Sequence, residues 1–561
     1  MLPDKAFLKK RQNWLFRLPI KERYILLALM LGVLPVWSSV EINAISAVIA
    51  VEDSITEPKY TELKAINDIN GDGVADNDGG NGHRFTYLTG ENTIEFYPER
   101  KRSSKEQPLY FYIKITGYEA SQNLKVKIMW FLRMKDGSTW APKYARWSYD
   151  QEKWNNTMPK KEVFVDGKGI PEYVIPKEQL TGDTIYFAHG YIRPYHKWLE
   201  YIDSLNAVYP DYFKSTELCK SNEHGLSVKL LKITDPVVPD SMKKAVWIIS
   251  RQHAFEVQND VVVQGFLDHV LQSNDQDIAQ LRKNAIIYLV PLMDADAAYS
   301  GTPGKMPDSP DFNRVWNDSP SQWNAVQAVK DSALAIMQRN DLEVFLDFHN
   351  PYPSQNRLEI LHMFPKGDAR IPLNSFSNFF NNHQQDRLHL RINPKGYNSV
   401  NRVLAGGWAH RSLSPRICGT LEIGWDKDEY GNTFNRNGYM SAGASFAAAI
   451  AGSINSFCRK YRVSVTVKDE ITGEPLPKAH IWFNGKELLT DSAGSAVFDS
   501  IAYDTHTLII NKNGYQQMQQ NDIFIKTSES LEFIMQKDLP DIEFLVLDKS
   551  AGEPVNRAYI Q

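Results

Sequence analysis

Residues 245–256 read AVWIISRQHAFE: six uncharged residues, mostly β-branched or aromatic, run straight into an arginine, a histidine and a glutamate. A strand without charge on either face is one buried between layers. Polar groups that are costly to bury unpaired stand directly at its end. Three further segments repeat the arrangement. AIIYLVPL (285–292) leads through MDAD to GKMPDSPDFNRVW, LEVFLDF (342–348) runs into His349, and ICGTLEI (417–423) carries Glu422. Between them lie stretches with helical spacing. NDVVVQGFLDHVLQ (259–272) places Val262, Phe266, Leu267, Val270 and Leu271 behind an Asn/Asp cap, and SQWNAVQAVKDSALAIM (321–337) and SAGASFAAAIAGSINSF (441–457) follow. Charge-poor strands alternating with helices predict an α/β sheet covered on both faces, over residues 225–460. In such sheets ligands bind beyond the carboxyl ends of the strands.

HAFE alone carries little weight, because a chain with 13 histidines is expected to hold roughly one H-x-x-E by chance. Its position is what counts. Four strand ends together supply two histidines, two glutamates, a lysine, an asparagine and an arginine. His253, Glu256 and His349 make a His2Glu set, the ligands of a catalytic zinc with one position left for water. Zinc brings the pKa of such a water to about 7. Glu422 remains as the free carboxylate that moves the proton. Lys305 is the cation available to steady an oxyanion. Arg314 suits bidentate capture of a substrate carboxylate, with Asn313 adding a hydrogen bond. Asp347 is placed to orient His349 or a neighbouring ligand.

The remaining composition excludes other chemistries. Three cysteines cannot build a disulfide framework or a Cys-rich zinc site. A net charge of −4 offers no basic field for phosphate, so nucleic acid is set aside as a partner. At the start, six basic residues between Lys9 and Arg23 precede YILLALMLGVLPVW (24–37), an apolar run shorter than the ~20 residues of a membrane-spanning helix. Residues 1–50 are expected to be a signal peptide or a membrane anchor, making the protein exported: periplasmic, extracellular or held at the membrane. Residues 51–82 read as a linker. In it Asp68, Asn70, Asp72 and Asp76 are spaced like a calcium loop, with Gly79 where an EF-hand needs Glu. A Ca2+ site and a plain polar turn are both open readings.

Residues 83–224 alternate in short runs such as LYFYIKITGY and predict an antiparallel β-sandwich. Residues 461–538 return to period-two alternation broken by Gly and Asn turns. Val467, Asp469, Gly473, Glu474, Pro475, Ala479 and Ile481 recur 79 positions later, so 539–561 are read as the start of a second, incomplete repeat.

The set RQHAFE, DFNRVW, LDFHN and TLEIGW, in that order, resembles the M14 zinc metallocarboxypeptidases, and within them the cytosolic-carboxypeptidase branch and its bacterial relatives. In that branch a β-sandwich precedes the catalytic domain, and IYFAHGYIRPYHKWLEYIDSL resembles the end of that sandwich. Residues 461–536 resemble the transthyretin-like, regulatory-like module that accompanies these peptidases. The resemblance implies Zn2+ held by His253, Glu256 and His349, Glu422 as general base and acid, and Asn313 with Arg314 as binders of the terminal carboxylate of a peptide or protein. It also points to Arg402 at the base of the specificity pocket, favouring acidic C-terminal residues, and to Tyr397 as a phenol closing over the substrate. Two departures stand out. Asp294-Ala295-Asp296-Ala297 replaces the family's N-P-D-G stretch, and the second arginine of the oxyanion pocket is not visible, Lys305 being nearest its place. The rival readings are a zinc amidohydrolase of the aspartoacylase or desuccinylase kind and a non-catalytic cell-surface binding protein.

Overall fold

The computed structural model describes residues 78–98, 107–305, 311–361, 371–384, 387–393, 403–427, 431, 434–502, 504–525, 527–538 and 547–554. The leader over 1–50, the calcium-like loop (Asp68, Asn70, Asp72, Asp76), Arg402 and Tyr397 lie outside the described residues.

The N-terminal strands are β1 (His83–Leu88), β2 (Thr93–Tyr97), β3 (Tyr112–Thr116), β4 (Leu124–Ile128), β5 (Arg146–Ser148), β6 (Asn155–Asn156), β7 (Lys161–Val165), β8 (Lys168–Ile175) and β9 (Thr184–Ala188). They form two sheets, ordered β1-β2-β4-β8-β7 and β3-β9-β5-β6. In β4, LKVKI, the apolar residues are buried and the lysines only half so, as period two requires of a sheet with one covered face. Aromatic rings join the two sheets: Phe111 lies against Phe96 of β2 and Phe187 of β9, and Tyr173 of β8 also meets Phe187. The pairing is not wholly antiparallel as expected. β2 and β4 run parallel, because the chain visits the other sheet as β3 between them and returns running the same way. The expected linker also ends sooner than residue 82. The Asp78 carboxylate is buried and accepts from the Tyr195 and His196 backbone N–H groups at 2.7 and 3.0 Å, and the Asn81 amide donates to the Gly301 carbonyl.

The central sheet contains β10 (Phe213–Lys220), β11 (Ser227–Ile233), β12 (Lys244–Ser250), β13 (Ala285–Val290), β14 (Leu342–His349), β15 (Leu358–Leu361), β16 (Arg391–Asn393) and β17 (Ile417–Ile423), ordered β10-β11-β13-β12-β14-β17-β15-β16. Around it run α1 (Tyr195–Val208), α2 (Gln258–Gln272), α3 (Gln276–Asn284), α4 (Ala295–Ser300), α5 (Asn324–Met337), α6 (Ile371–Gln384), α7 (Ala405–Leu413) and α8 (Arg436–Cys458). β14 is buried along its whole length and β12 at every residue but Lys244. β10 was grouped by sequence with the preceding sheets, yet it pairs with β11 and edges the central sheet. Its FKSTELCK is mostly exposed or half-buried, as an edge strand is, and so carries the alternation of the N-terminal strands. β13 flanks β12 on one side and β14 on the other, all three parallel. The chain therefore reverses its direction of sheet growth at β12, which opens a crevice beyond the ends of β12 and β14.

α2 and α8 pack at backbone contact through Gly265 and Gly443. A Cβ on Gly443 would collide with the Val262 carbonyl oxygen, and one on Gly265 with the Met440 carbonyl. Since backbone cannot yield as a side chain does, Gly443→Ala is expected to destabilise the fold by about 1–3 kcal/mol. A denaturation midpoint equal to that of the parent would contradict this packing. Among the described residues no helix is long and apolar enough to cross a membrane.

The C-terminal strands are β18 (Lys460–Asp469), β19 (His480–Phe483), β20 (Lys486–Leu489), β21 (Ser495–Ala502), β22 (Asp504–Asn511), β23 (Met518–Ile525) and β24 (Glu529–Met535), in sheets ordered β21-β18-β24 and β20-β19-β22-β23. Where both copies are described, the repeat seen in sequence is a repeated turn. The Asp469 carboxylate accepts from the Ile471 and Thr472 N–H groups and Asp469 N–H donates to the Glu474 carbonyl. Asp548 does the same with Ser550, Ala551 and Glu553.

Candidate metal centre and active-site cleft

The site begins with strand register. β14 and β17 pair so that His349 stands directly opposite Glu422. β12 lies on the other side of β14, and three residues past its end the chain reaches His253. Arg251 turns the chain there. It is fully buried with φ of +57°, in the left-handed region that costs a non-glycine residue energy. Its guanidinium holds the conformation by an ion pair to Asp260 on α2 and a 2.6 Å hydrogen bond to the Ala254 carbonyl. The loop between β12 and α2 is thus pinned at both ends, with His253 and Glu256 projecting from it.

His253, Glu256 and His349 offer ligand atoms that all lie within 4.8 Å of one another, and all three are buried. Both imidazoles turn Nδ1 toward Glu256: His253 Nδ1 is 2.8 Å from Oε1 and His349 Nδ1 is 2.8 Å from Oε2. Their Nε2 atoms face carboxylates, Asp311 for His253 at 2.8 Å and Asp347 for His349 at 2.9 Å. A carboxylate accepting the Nε2 proton leaves the Nδ1 lone pair free and the ring oriented. Glu256 Oε2 is buried and makes no aligned hydrogen bond among the described residues. Two imidazoles and a carboxylate whose ligand atoms converge on one point are a donor set that fits a zinc ion.

Electrostatics agree with that reading. Burial by itself would push the Glu256 carboxyl up, but His349 and His253 override it and hold it down at about 2. Burial would lower His349, yet Asp347 and Glu256 raise it well above the usual imidazole range. Without an ion the site therefore holds a proton, which a divalent cation must displace. Protonation favours the metal-free form below the raised His349 value, so zinc affinity is expected to fall as the pH drops through neutrality. The fall should be about tenfold per pH unit for each displaced proton. Competition with a chromophoric chelator at several pH values measures it, and a pH-independent affinity would contradict it.

A cleft of about 110 Å³ opens over the triad, and Lys305, Asn313, Arg314 and Glu422 line it with the three ligands. Glu422 is half-buried, and its Oε2 has no hydrogen bond among the described residues. Burial pushes its carboxyl up, with Glu256 adding to the rise and His349, Arg357 and Lys305 opposing it. Lys305 Nζ is 3.4 Å from both ring nitrogens of His253. The Asn313 side-chain Oδ1 accepts from Ala405 N–H and its Nδ2 is 3.2 Å from His349 Nε2, which limits what it can offer a ligand. Arg314 is exposed, and its guanidinium donates to the Asn313 backbone carbonyl at 2.8 Å.

Three participants escaped the sequence reading. Asp311 both caps the short 3-10 turn Phe312–Arg314 through Asn313 N–H and orients His253. Its place as the first residue of DFNRVW was the available signal. Tyr352 and Arg357 line the cleft from the loop between β14 and β15, and nothing in their local pattern marks them. Asp294 and Asp296 have structural roles: Asp294 caps α4, while Asp296 accepts from Ser221 Oγ and the Glu223 and His224 N–H groups.

The fold is similar to that of solved metallo-carboxypeptidases, and the donor set is one that can hold zinc. The M14 zinc carboxypeptidase family model matches residues 198–341, about a quarter of the chain. The chain is similar to mouse cytosolic carboxypeptidase 6, 27% identical over 321 residues, which cover 53% of this chain and 55% of the mouse protein. With mouse cytosolic carboxypeptidase 3 it shares 29% identity over 182 residues, 31% of this chain and 18% of that protein. The chain thus spans about half or less of the length of these relatives. Among solved structures, a metallo-carboxypeptidase from Burkholderia cenocepacia superposes with a TM-score of 0.55 at 20% identity, covering 68% of this chain and 98% of that one. One from Pseudomonas aeruginosa gives 0.54 at 18% identity, covering 67% and 96%. At such identities the likeness is one of fold.

Proposed function

We propose that the chain is a zinc-dependent carboxypeptidase that hydrolyses the C-terminal peptide bond of peptides or proteins. The observation that carries this reading is the meeting, in one cleft, of a His2Glu donor set with a carboxylate that makes no ligand-like contact, Glu422, opposite His349. Zinc, when bound by His253, Glu256 and His349, supplies a Lewis acid and a water nucleophile near neutral pH. Glu422 takes the proton of the attacking water and hands it to the departing amine. Its raised pKa brings it closer to the value at which one group both accepts and donates efficiently. Lys305 steadies the charge that develops on the carbonyl oxygen. Arg314 takes the terminal carboxylate, and Asn313 adds its remaining N–H.

Within the same proposal, Arg402 selects an acidic C-terminal residue and Tyr397 covers the substrate. The sheet pairs on either side of the central domain are read as β-sandwich modules, the second transthyretin-like, and the basic-then-apolar start supports export. The decisive assay compares matched peptides with free and amidated C termini, with and without a chelator, by mass spectrometry. Loss of single residues from the free peptides alone, stopped by the chelator, is expected. Equal cleavage of amidated peptides would overturn the proposal, and hydrolysis confined to N-acyl amino acids would favour the amidohydrolase.

A further inference from the structure

A cavity of about 700 Å³ shares no lining residue with the cleft over His253, Glu256 and His349. It lies where the turn between β5 and β6 meets the first turns of α1, α2 and α8, and its volume falls in the range of small-molecule sites. Its charges are unevenly matched. Arg193 and Arg436 both donate to one neutral acceptor, the Gln264 side-chain oxygen, at 2.7 and 3.0 Å. Neither guanidinium is within 4.0 Å of a carboxylate among the described residues. Of the acidic groups nearby, the exposed Glu152 lines the cavity and favours the charged form of Arg193, whereas three others are committed elsewhere. Asp260 is paired with Arg251 and also accepts from the Arg193 N–H and Trp198 Nε1, Glu200 is paired with Lys197, and Asp268 accepts from Tyr201 Oη. Arg193 is stacked over Tyr201 and Trp198, 4.5 and 5.2 Å from their ring centroids, which fixes its fork facing Gln264. Lys153 adds a further positive charge at the rim.

Two guanidinium groups sharing one neutral oxygen repel each other, and burial lowers the pKa of Arg193, the neighbouring Arg436 adding to the strain that Asp260 opposes. An oxyanion lying between the two forks would satisfy donors that one amide oxygen cannot. We propose that this cavity is a binding site for a small organic anion carrying oxyanion groups, a polycarboxylate or a phosphate ester, clasped by Arg193 and Arg436. The site is separate from the proposed peptidase cleft and stands whether or not that reading holds.

The test is calorimetry on the zinc-loaded full chain with inorganic phosphate and with succinate as probes. Saturable binding at one site is expected for at least one of them. Arg436→Gln, at the start of α8, should weaken it about tenfold or more, since a hydrogen-bonded charge pair is lost. Lys153→Glu, on an exposed loop, should weaken it severalfold and serves if Arg436→Gln does not fold. Binding of phosphate alone identifies a phosphate ester as the source, and binding of succinate alone a polycarboxylate. Absence of saturable heat with both probes, or unchanged affinity in both variants, overturns the proposal.

Discussion

Replacing Glu422 by glutamine is expected to lower kcat by about 10²–10⁴-fold while the protein keeps its zinc, because a general base contributes rates of that order. The substitution preserves shape and one hydrogen-bond acceptor but removes the basic oxygen. Glu422 is not among the three residues whose ligand atoms converge, so metal content should match the parent. Its Oε2 has no hydrogen bond among the described residues, so no local structure depends on it. The same logic sets the acid limb of the rate profile. Burial raises the Glu422 carboxyl, and only the ionised form accepts a proton. Activity is therefore lost as the pH falls through that raised value, and the limb should disappear from whatever turnover Glu422→Gln retains. Parent-like turnover in the variant would remove the assigned base.

Breaking the buried pair between Arg146 and Asp426 is expected to cost about 3–5 kcal/mol, more than any surface pair in the chain. The two side chains are 1% and 4% exposed and 2.8 Å apart. Arg146 belongs to β5 in the N-terminal sheets, whereas Asp426 follows β17 four residues after Glu422. Asp426 also accepts from Lys143 N–H, and Arg146 donates to the Tyr144 carbonyl and lies over the Tyr191 ring. Arg146→Met leaves Asp426 charged and buried without its partner, which carries most of the cost. Adding Asp426→Leu removes the orphaned charge and should recover a large part of it. A denaturation midpoint unaffected by Arg146→Met would mean that the N-terminal sheets do not anchor the strand that bears Glu422.

The central sheet was legible because burial on both faces leaves a signature: AVWIIS has no charge, and LEVFLDF and ICGTLEI are mostly apolar, their only charges being Glu343, Asp347 and Glu422. The donor set was legible because it follows those strands directly, where polar residues have no structural reason to gather. β10 was misplaced because an edge strand alternates as a sandwich strand does. The parallel pairing of β2 and β4 depends on the path of β3 through the other sheet, which no local pattern records. Arg357 and Tyr352 reach the cleft through a loop whose course depends on tertiary packing: Tyr352 stacks on Trp140, 5.2 Å away and 212 positions earlier in the chain. Arg251 reads as an ordinary polar residue after a strand, and only its positive φ and buried partner show that it sets the turn.

The measurement that bears most directly on the account is X-ray absorption at the zinc edge of the purified chain. One equivalent of zinc with two imidazole nitrogens at about 2.0–2.1 Å and carboxylate or water oxygen at about 2.0–2.2 Å is predicted, with one imidazole lost in His349→Ala. Sulfur in the first shell, or a spectrum unchanged by that substitution, would contradict it.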